Sequence, residues 1–133
     1  MRKIIVCLAM LTAVLAGCAT DATVRSSPKE LPGTYYSGDG LGRNVTVVLN
    51  ANGTYSSDWQ GCLGVYGKSS GIWLLHGEHL VFEPLAETGD LAGYLTQATT
   101  IRHKGRLGFV RDQNLKQDRV SEQLVFLSEP SQP

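Results

Sequence analysis

"GIWLLHGEHLVFEP", residues 71–84, decides the fold. Two apolar runs flank Gly77 and Glu78, and glycine in the first place of a two-residue loop suits a type II′ hairpin turn. That turn sets the register, placing Leu75 opposite Leu80, Leu74 opposite Val81 and Trp73 opposite Phe82. Strand side chains alternate between faces, so Trp73, Leu75, Leu80 and Phe82 share one side and are expected in the core. The other side carries Leu74, Val81, His76, His79 and Glu83.

The same grammar continues in both directions. "VTVVL", residues 45–49, alternates, with Val45, Val47 and Leu49 on one side. "NANG", residues 50–53, supplies a turn, and "TYSSDW", residues 54–59, sets Tyr55, Ser57 and Trp59 on one face of the returning strand. Further strands are expected near 94–102, 106–111 and 122–128, and another around "TYY" at residues 34–36. "HKG", residues 103–105, turns between two of them, and the polar "DQNLKQDR", residues 112–119, breaks the pattern. No stretch holds a helical period. The expectation is an all-β domain, a small antiparallel up-and-down barrel built from successive hairpins, with a two-layer β-sandwich as the alternative.

The N-terminus has a different character. Arg2 and Lys3 precede "IIVCLAMLTAVL", residues 4–15, an uncharged run too short for a permanent membrane span and the right size for the apolar centre of a secretory signal. "LAGC", residues 15–18, resembles the lipobox of bacterial lipoproteins: an aliphatic residue, two small ones, then cysteine. The resemblance implies that residues 1–17 are a signal peptide cleaved before Cys18, and that Cys18 carries a diacylglycerol thioether and an acylated amino group. Several acyl chains, at ~0.8 kcal/mol per buried methylene, make such an anchor effectively permanent. By the sorting rule that comes with the resemblance, Ala19 after the cysteine directs the protein to the outer membrane, with its domain facing the periplasm. "ATDATVRSSPKE", residues 19–30, is polar and aperiodic, so residues 18–30 read as a lipidated N-terminus and flexible tether. The β-domain is expected over 31–128 and a disordered tail over 129–133.

"GTYY", "VVLNANGTY" and "GIWLLHGEHLVFEP" together resemble small envelope lipoproteins of calycin-like, lipocalin-like architecture. The resemblance implies a barrel; such domains include ligand binders and stress-sensing lipoproteins.

The chain holds 12 Lys and Arg against 12 Asp and Glu, and loss of Arg2 and Lys3 leaves the remainder slightly acidic. Nucleic acid is therefore not an expected partner. Cys7 leaves with the signal and Cys18 is lipidated, so Cys62 has no partner for an internal disulfide. With no Lys, Arg or His within five residues to lower its pKa, Cys62 is expected to be a small buried thiol, the alternative being a reactive one.

Candidate chemistry is sparse. "HGEH", residues 76–79, spaces its histidines i and i+3 across a turn, unlike the helical zinc motif, so no metal site and no cofactor are expected. "GDGLG", residues 38–42, precedes a strand rather than a helix, and reads as a flexible β-loop rather than a phosphate cradle, the functional alternative being a loop at a pocket mouth. Arg102, Lys104, Arg106, Arg111, Lys116 and Arg119 concentrate positive charge, as a solvated hairpin tip and loop would. No nucleophile, base and orienting acid fall in a recognisable arrangement, and the protein is expected to be non-enzymatic.

The leading expectation is a lipid-anchored module that binds an envelope partner, with Leu74 and Val81 as its apolar contact surface. The first alternative is a small apolar-ligand carrier, its pocket lined by Tyr35, Tyr55, Trp59 and Trp73. The second is an inhibitor of a lysozyme-type periplasmic hydrolase.

Overall fold

The structure, a computed structural model, describes residues 22–23, 26–115 and 120–130. The signal segment, Cys18, Lys116, Arg119 and residues 131–133 lie outside the described residues.

The described strands are β1 (Ala22–Thr23), β2 (Gly33–Gly38), β3 (Asn44–Leu49), β4 (Thr54–Gly61), β5 (Gly64–His76), β6 (His79–Gly89), β7 (Gln97–His103), β8 (Arg106–Arg111) and β9 (Val125–Ser128). From β2 onward each strand pairs antiparallel with the next, and β9 returns to β2. The result is a closed eight-stranded up-and-down barrel, not a sandwich. At this strand number the interior is just wide enough for side chains to fill.

The central hairpin has the register that its turn demands: Leu75 faces Leu80, Leu74 faces Val81 and Trp73 faces Phe82. Gly77 has φ +65°, and Glu78 is not in the positive-φ region, as a type II′ turn requires. At the β7–β8 turn both Lys104 (φ 49°) and Gly105 (φ 77°) are positive, the pattern of a type I′ turn.

The hairpin is longer than residues 71–84 suggest. β5 starts at Gly64 and β6 ends at Gly89, and the pairing shifts register at Ser70/Gly71. The extension, "GVYGKSS", is mostly glycine, serine and lysine, with Val65 and Tyr66 adjacent rather than alternating, so it carries no apolar alternation to betray a strand. Two other boundaries move as well. Residues 94–96 belong to the loop before β7, and Glu122–Leu124 form a short 3-10 turn before β9.

The core runs the length of the barrel. Val45, Val47 and Leu49 of β3, Tyr35 of β2, Tyr55 of β4, Trp73 of β5, Leu80 and Phe82 of β6, Phe109 of β8 and Phe126 of β9 are all buried. Phe109 stacks on Phe126 (centroids 4.8 Å apart, 8° between planes) and lies 5.1 Å from Tyr35 and 5.8 Å from Phe82. Tyr55 meets Phe82 edge-on at 5.0 Å. These rings form a continuous aromatic chain across the barrel, within the range of favourable ring packing.

One end, here called the floor, carries the turns 50–53, 77–78 and 104–105. Leu31 closes it, fully buried, its carbonyl accepting from the Tyr35 hydroxyl at 2.7 Å. At the other end, the mouth, the inward positions shrink to Ser37, Ser57, Gly67 and Ser69. The 90–96 loop fills the room left there: Leu91 and Leu95 are fully buried in the same core. A Cβ at Gly67 would sit 2.7 Å from the Leu91 nitrogen, so this close approach needs glycine.

Outside the barrel, Ile101, Val110 and Val125 are covered by Leu115, Val120 and Leu127, giving a second, smaller core under the β8–β9 connection. This is why β7 and β8 are buried on both faces. Part of the stretch expected as tether is also paired: Ala22 and Thr23 lie antiparallel to Arg102 and Ile101, and Ser26 is buried. The folded part thus starts upstream of Leu31.

Candidate functional site

The residues expected from the sequence to matter separate into two groups. Tyr35, Tyr55 and Trp73 are core side chains, already engaged: the Tyr55 hydroxyl bonds Ser69 (2.9 Å) and the Trp73 indole donates to the Asn50 carbonyl (3.0 Å). Burial pushes the Tyr35 hydroxyl up to about 12, because the phenolate would be stranded in an apolar interior. Leu74 is on the outer face, 38% exposed, opposite half-buried Val81. Ile72, also 38% exposed, adjoins them on the same face of β5 and extends the strip. The connection after β8 covers Ile101 and Val110 instead, so the strip stays open to solvent.

The expectation for Cys62 is overturned: its side chain is exposed. The unrecognised extension of β4 and β5 carries it to the tip of a hairpin at the mouth, where its thiol lies 3.3 Å from the Leu41 carbonyl. Beside it stand Leu41 and Leu63, 78% and 91% exposed. His76 and His79 face each other across their turn, both exposed. Among the described residues no group of three or more His, Cys, Asp or Glu is placed to hold a metal ion.

Trp59 belongs to an arrangement that sequence reading missed. It is half-buried at the mouth, its ring 5.4 Å from Tyr94 of the 90–96 loop. Arg43 lies 5.9 Å from the Trp59 ring centre and 6.0 Å from that of Tyr94, and Arg111 lies 3.5 Å over the Tyr94 ring. Arg43 donates to the Ser37 hydroxyl (3.1 Å), the Gln123 carbonyl (2.8 Å) and the Tyr94 hydroxyl (2.5 Å). Arg111, only 9% exposed, donates to the Tyr94 carbonyl (3.0 Å). With their amide oxygens turned toward it, Gln113 and Asn114 accept from its Nη2 at 2.9 Å and 3.2 Å. Burial lowers the Arg111 pKa, the Tyr94 hydroxyl works against that fall, and Arg43 adds to it.

Local sequence explains each placement. Asp39 accepts the backbone N–H groups of Leu41, Gly42 and Arg43 at 2.8–3.1 Å, folding the glycine-rich loop back so that Arg43 turns inward. Those same bonds hold the Asp39 carboxyl below its ordinary pKa. Arg111 is the last inward-facing position of β8. Glu87 accepts the Gly93 N–H through Oε2 (3.0 Å), fixing the loop that presents Tyr94. "GDGLG" as a β-loop was legible; its joining to Tyr94 and Arg111 was not, because these come from a different strand connection and from the end of β8.

The basic hairpin at 102–106 is largely engaged within the protein. Lys104 pairs with Glu122 at 2.5 Å, and His103 lies 3.1 Å from the same carboxylate. Arg106 donates to the Ser128 carbonyl.

Comparison with family models, curated proteins and solved structures found no match to this chain.

Proposed function

We propose that this protein is an outer-membrane lipoprotein, anchored through Cys18, whose barrel is a non-enzymatic module that binds an envelope protein by the outer face of β5 and β6. The observation that carries this reading is the uncovered strip of Ile72, Leu74 and Val81. Leu74 and Val81 are directly paired and Ile72 lies diagonal to Val81, so the three make one patch rather than scattered exposures.

Two further features agree with it. The described interior is packed with aromatic rings and with Leu91 and Leu95, which favours a partner-binding surface over an apolar carrier. Ala22 pairs beside Arg102, toward the floor. From Cys18 to Ala22 the chain reaches at most about 14 Å at ~3.5 Å per residue. A lipid on Cys18 would therefore hold the 77–78 and 104–105 turns toward the membrane and direct the mouth away from it.

The test uses a photo-crosslinking side chain at position 74 or 81 in the full lipidated protein in its own envelope, with Ser56, exposed on another part of the barrel, as the control position. A discrete protein adduct from 74 and 81 but not from 56 supports the reading, and adducts from none of them refute it. Labelled fatty-acid incorporation that persists in C18A would refute the anchor.

A further inference from the structure

Arg43 and Arg111 present an electrostatic imbalance. Two guanidiniums share one aromatic ring at the barrel mouth, one of them nearly buried, and among the described residues neither meets a carboxylate. Every partner they have is neutral: two hydroxyls, two backbone carbonyls and two side-chain amides. The nearby acids are spent elsewhere. Asp39 is turned onto the backbone of its own loop, Asp112 accepts the Thr99 hydroxyl at 2.8 Å, and Glu87 accepts from Gly93 through Oε2 while its buried Oε1 meets no donor, neither arginine included. Like charges taken out of water normally carry a counter-charge, since both desolvation and mutual repulsion oppose them.

The two arginines are not equivalent. Arg111 has acceptors around its guanidinium and serves as a fixed positive backing. Arg43 uses Nη1 twice and Nη2 once, so its Nε–H and one Nη2–H have no acceptor among the described residues. Two free donors on adjacent nitrogens of a half-exposed guanidinium match the two oxygens of a carboxylate or phosphate. Trp59 and Tyr94, both half-buried, wall the place and limit the water around it, which strengthens a charged hydrogen bond relative to one in bulk water.

We propose that the mouth is an oxyanion site, in which Arg43 grips a carboxylate or phosphate group, Arg111 supplies the supporting charge, and Trp59 and Tyr94 form the wall. This goes beyond the partner-binding reading and stands whether or not Cys18 is lipidated.

The full chain in detergent at low ionic strength is titrated with sodium phosphate, and separately with sodium acetate, against sodium chloride at matched ionic strength. Tryptophan emission and the thermal midpoint are followed. The expected result is a saturable emission change, with Trp59 as reporter, and a midpoint rise beyond that in chloride. A response to phosphate alone assigns a phosphate ligand, to acetate alone a carboxylate, and to both a general oxyanion. R43Q should weaken the affinity at least tenfold, while K68Q, at an exposed residue of the outer wall, keeps it. No saturable response beyond chloride, or an unchanged response in R43Q, overturns the proposal. Should R43Q lose its fold by circular dichroism, R43K decides: native affinity without the guanidinium fork would overturn it as well.

Discussion

Phe109→Ala is the sharpest probe of the claim that this barrel is plugged rather than hollow. Phe109 is fully buried and touches three other rings: Phe126 in a stack at 4.8 Å, Tyr35 at 5.1 Å and Phe82 at 5.8 Å. Truncating a core phenylalanine costs about 3–5 kcal/mol from lost burial and the cavity left behind. Each aromatic pair is worth ~0.5–1.5 kcal/mol beyond its area, so the loss of three puts this site near the upper end, about 5 kcal/mol. For a urea dependence of ~1.5 kcal/mol per molar, the unfolding midpoint should fall by about 3 M. That is much of the ~5–15 kcal/mol by which a domain is stable, so F109L, which keeps most of the volume, serves as the milder companion and should cost less than half as much. Urea unfolding followed by circular dichroism gives both numbers. A fluorescent naphthalene probe added to native and F109L protein reports whether an interior site exists. A loss below ~2 kcal/mol for F109A would refute the packed interior, as would stoichiometric probe binding by the native protein. Either would put the apolar carrier ahead of the partner-binding reading.

Alkaline conditions should destabilise the barrel through Tyr35. Its folded pKa is raised to about 12, so its contribution is complete below the unfolded value of ~10 and is lost as pH climbs from there toward 12. Stability against pH should bend downward in that window, and Y35F should lessen the bend while losing the bond to Leu31, Tyr55, whose pKa burial also raises, keeping the remainder. Glu122 is shifted the opposite way: hydrogen bonds from Lys104 and His103 lower its pKa, so the pairing is present above the ordinary glutamate value and is lost as pH falls through the depressed one. In K104Q, side-chain NMR should find the Glu122 titration moved up toward normal; an unmoved titration would contradict the contact. Gly89→Ala should destabilise by about 2 kcal/mol or more, because φ is +58° there and a Cβ would fall 1.9 Å from the Tyr66 carbonyl oxygen; thermal unfolding reads it.

The hairpins were legible because their information is local. A Gly-Glu turn and alternating apolar residues specify pairing without reference to the rest of the chain, and the registers at Trp73–Phe82 and Leu74–Val81 follow from them. Strands without apolar alternation were not legible. Gly64–Ser70 is a strand because β4 pairs along it and β6 joins from Gly67 onward, and that hidden length carried Cys62 out to an exposed tip.

What the sequence determined by itself was therefore an all-β domain of successive hairpins, through alternation of period two and short turns, while the pairing of β9 with β2 decided for a barrel over a sandwich. Tertiary structure decided what the barrel can do. Small inward residues at the mouth acquire meaning only when Leu91 and Leu95 pack against them, and Arg43, Trp59, Tyr94 and Arg111 become neighbours only when two connections and the ends of β4 and β8 meet at the same end. Turns and alternation act between near neighbours in the chain. Cavity filling and charge balance depend on residues that only ring closure brings together.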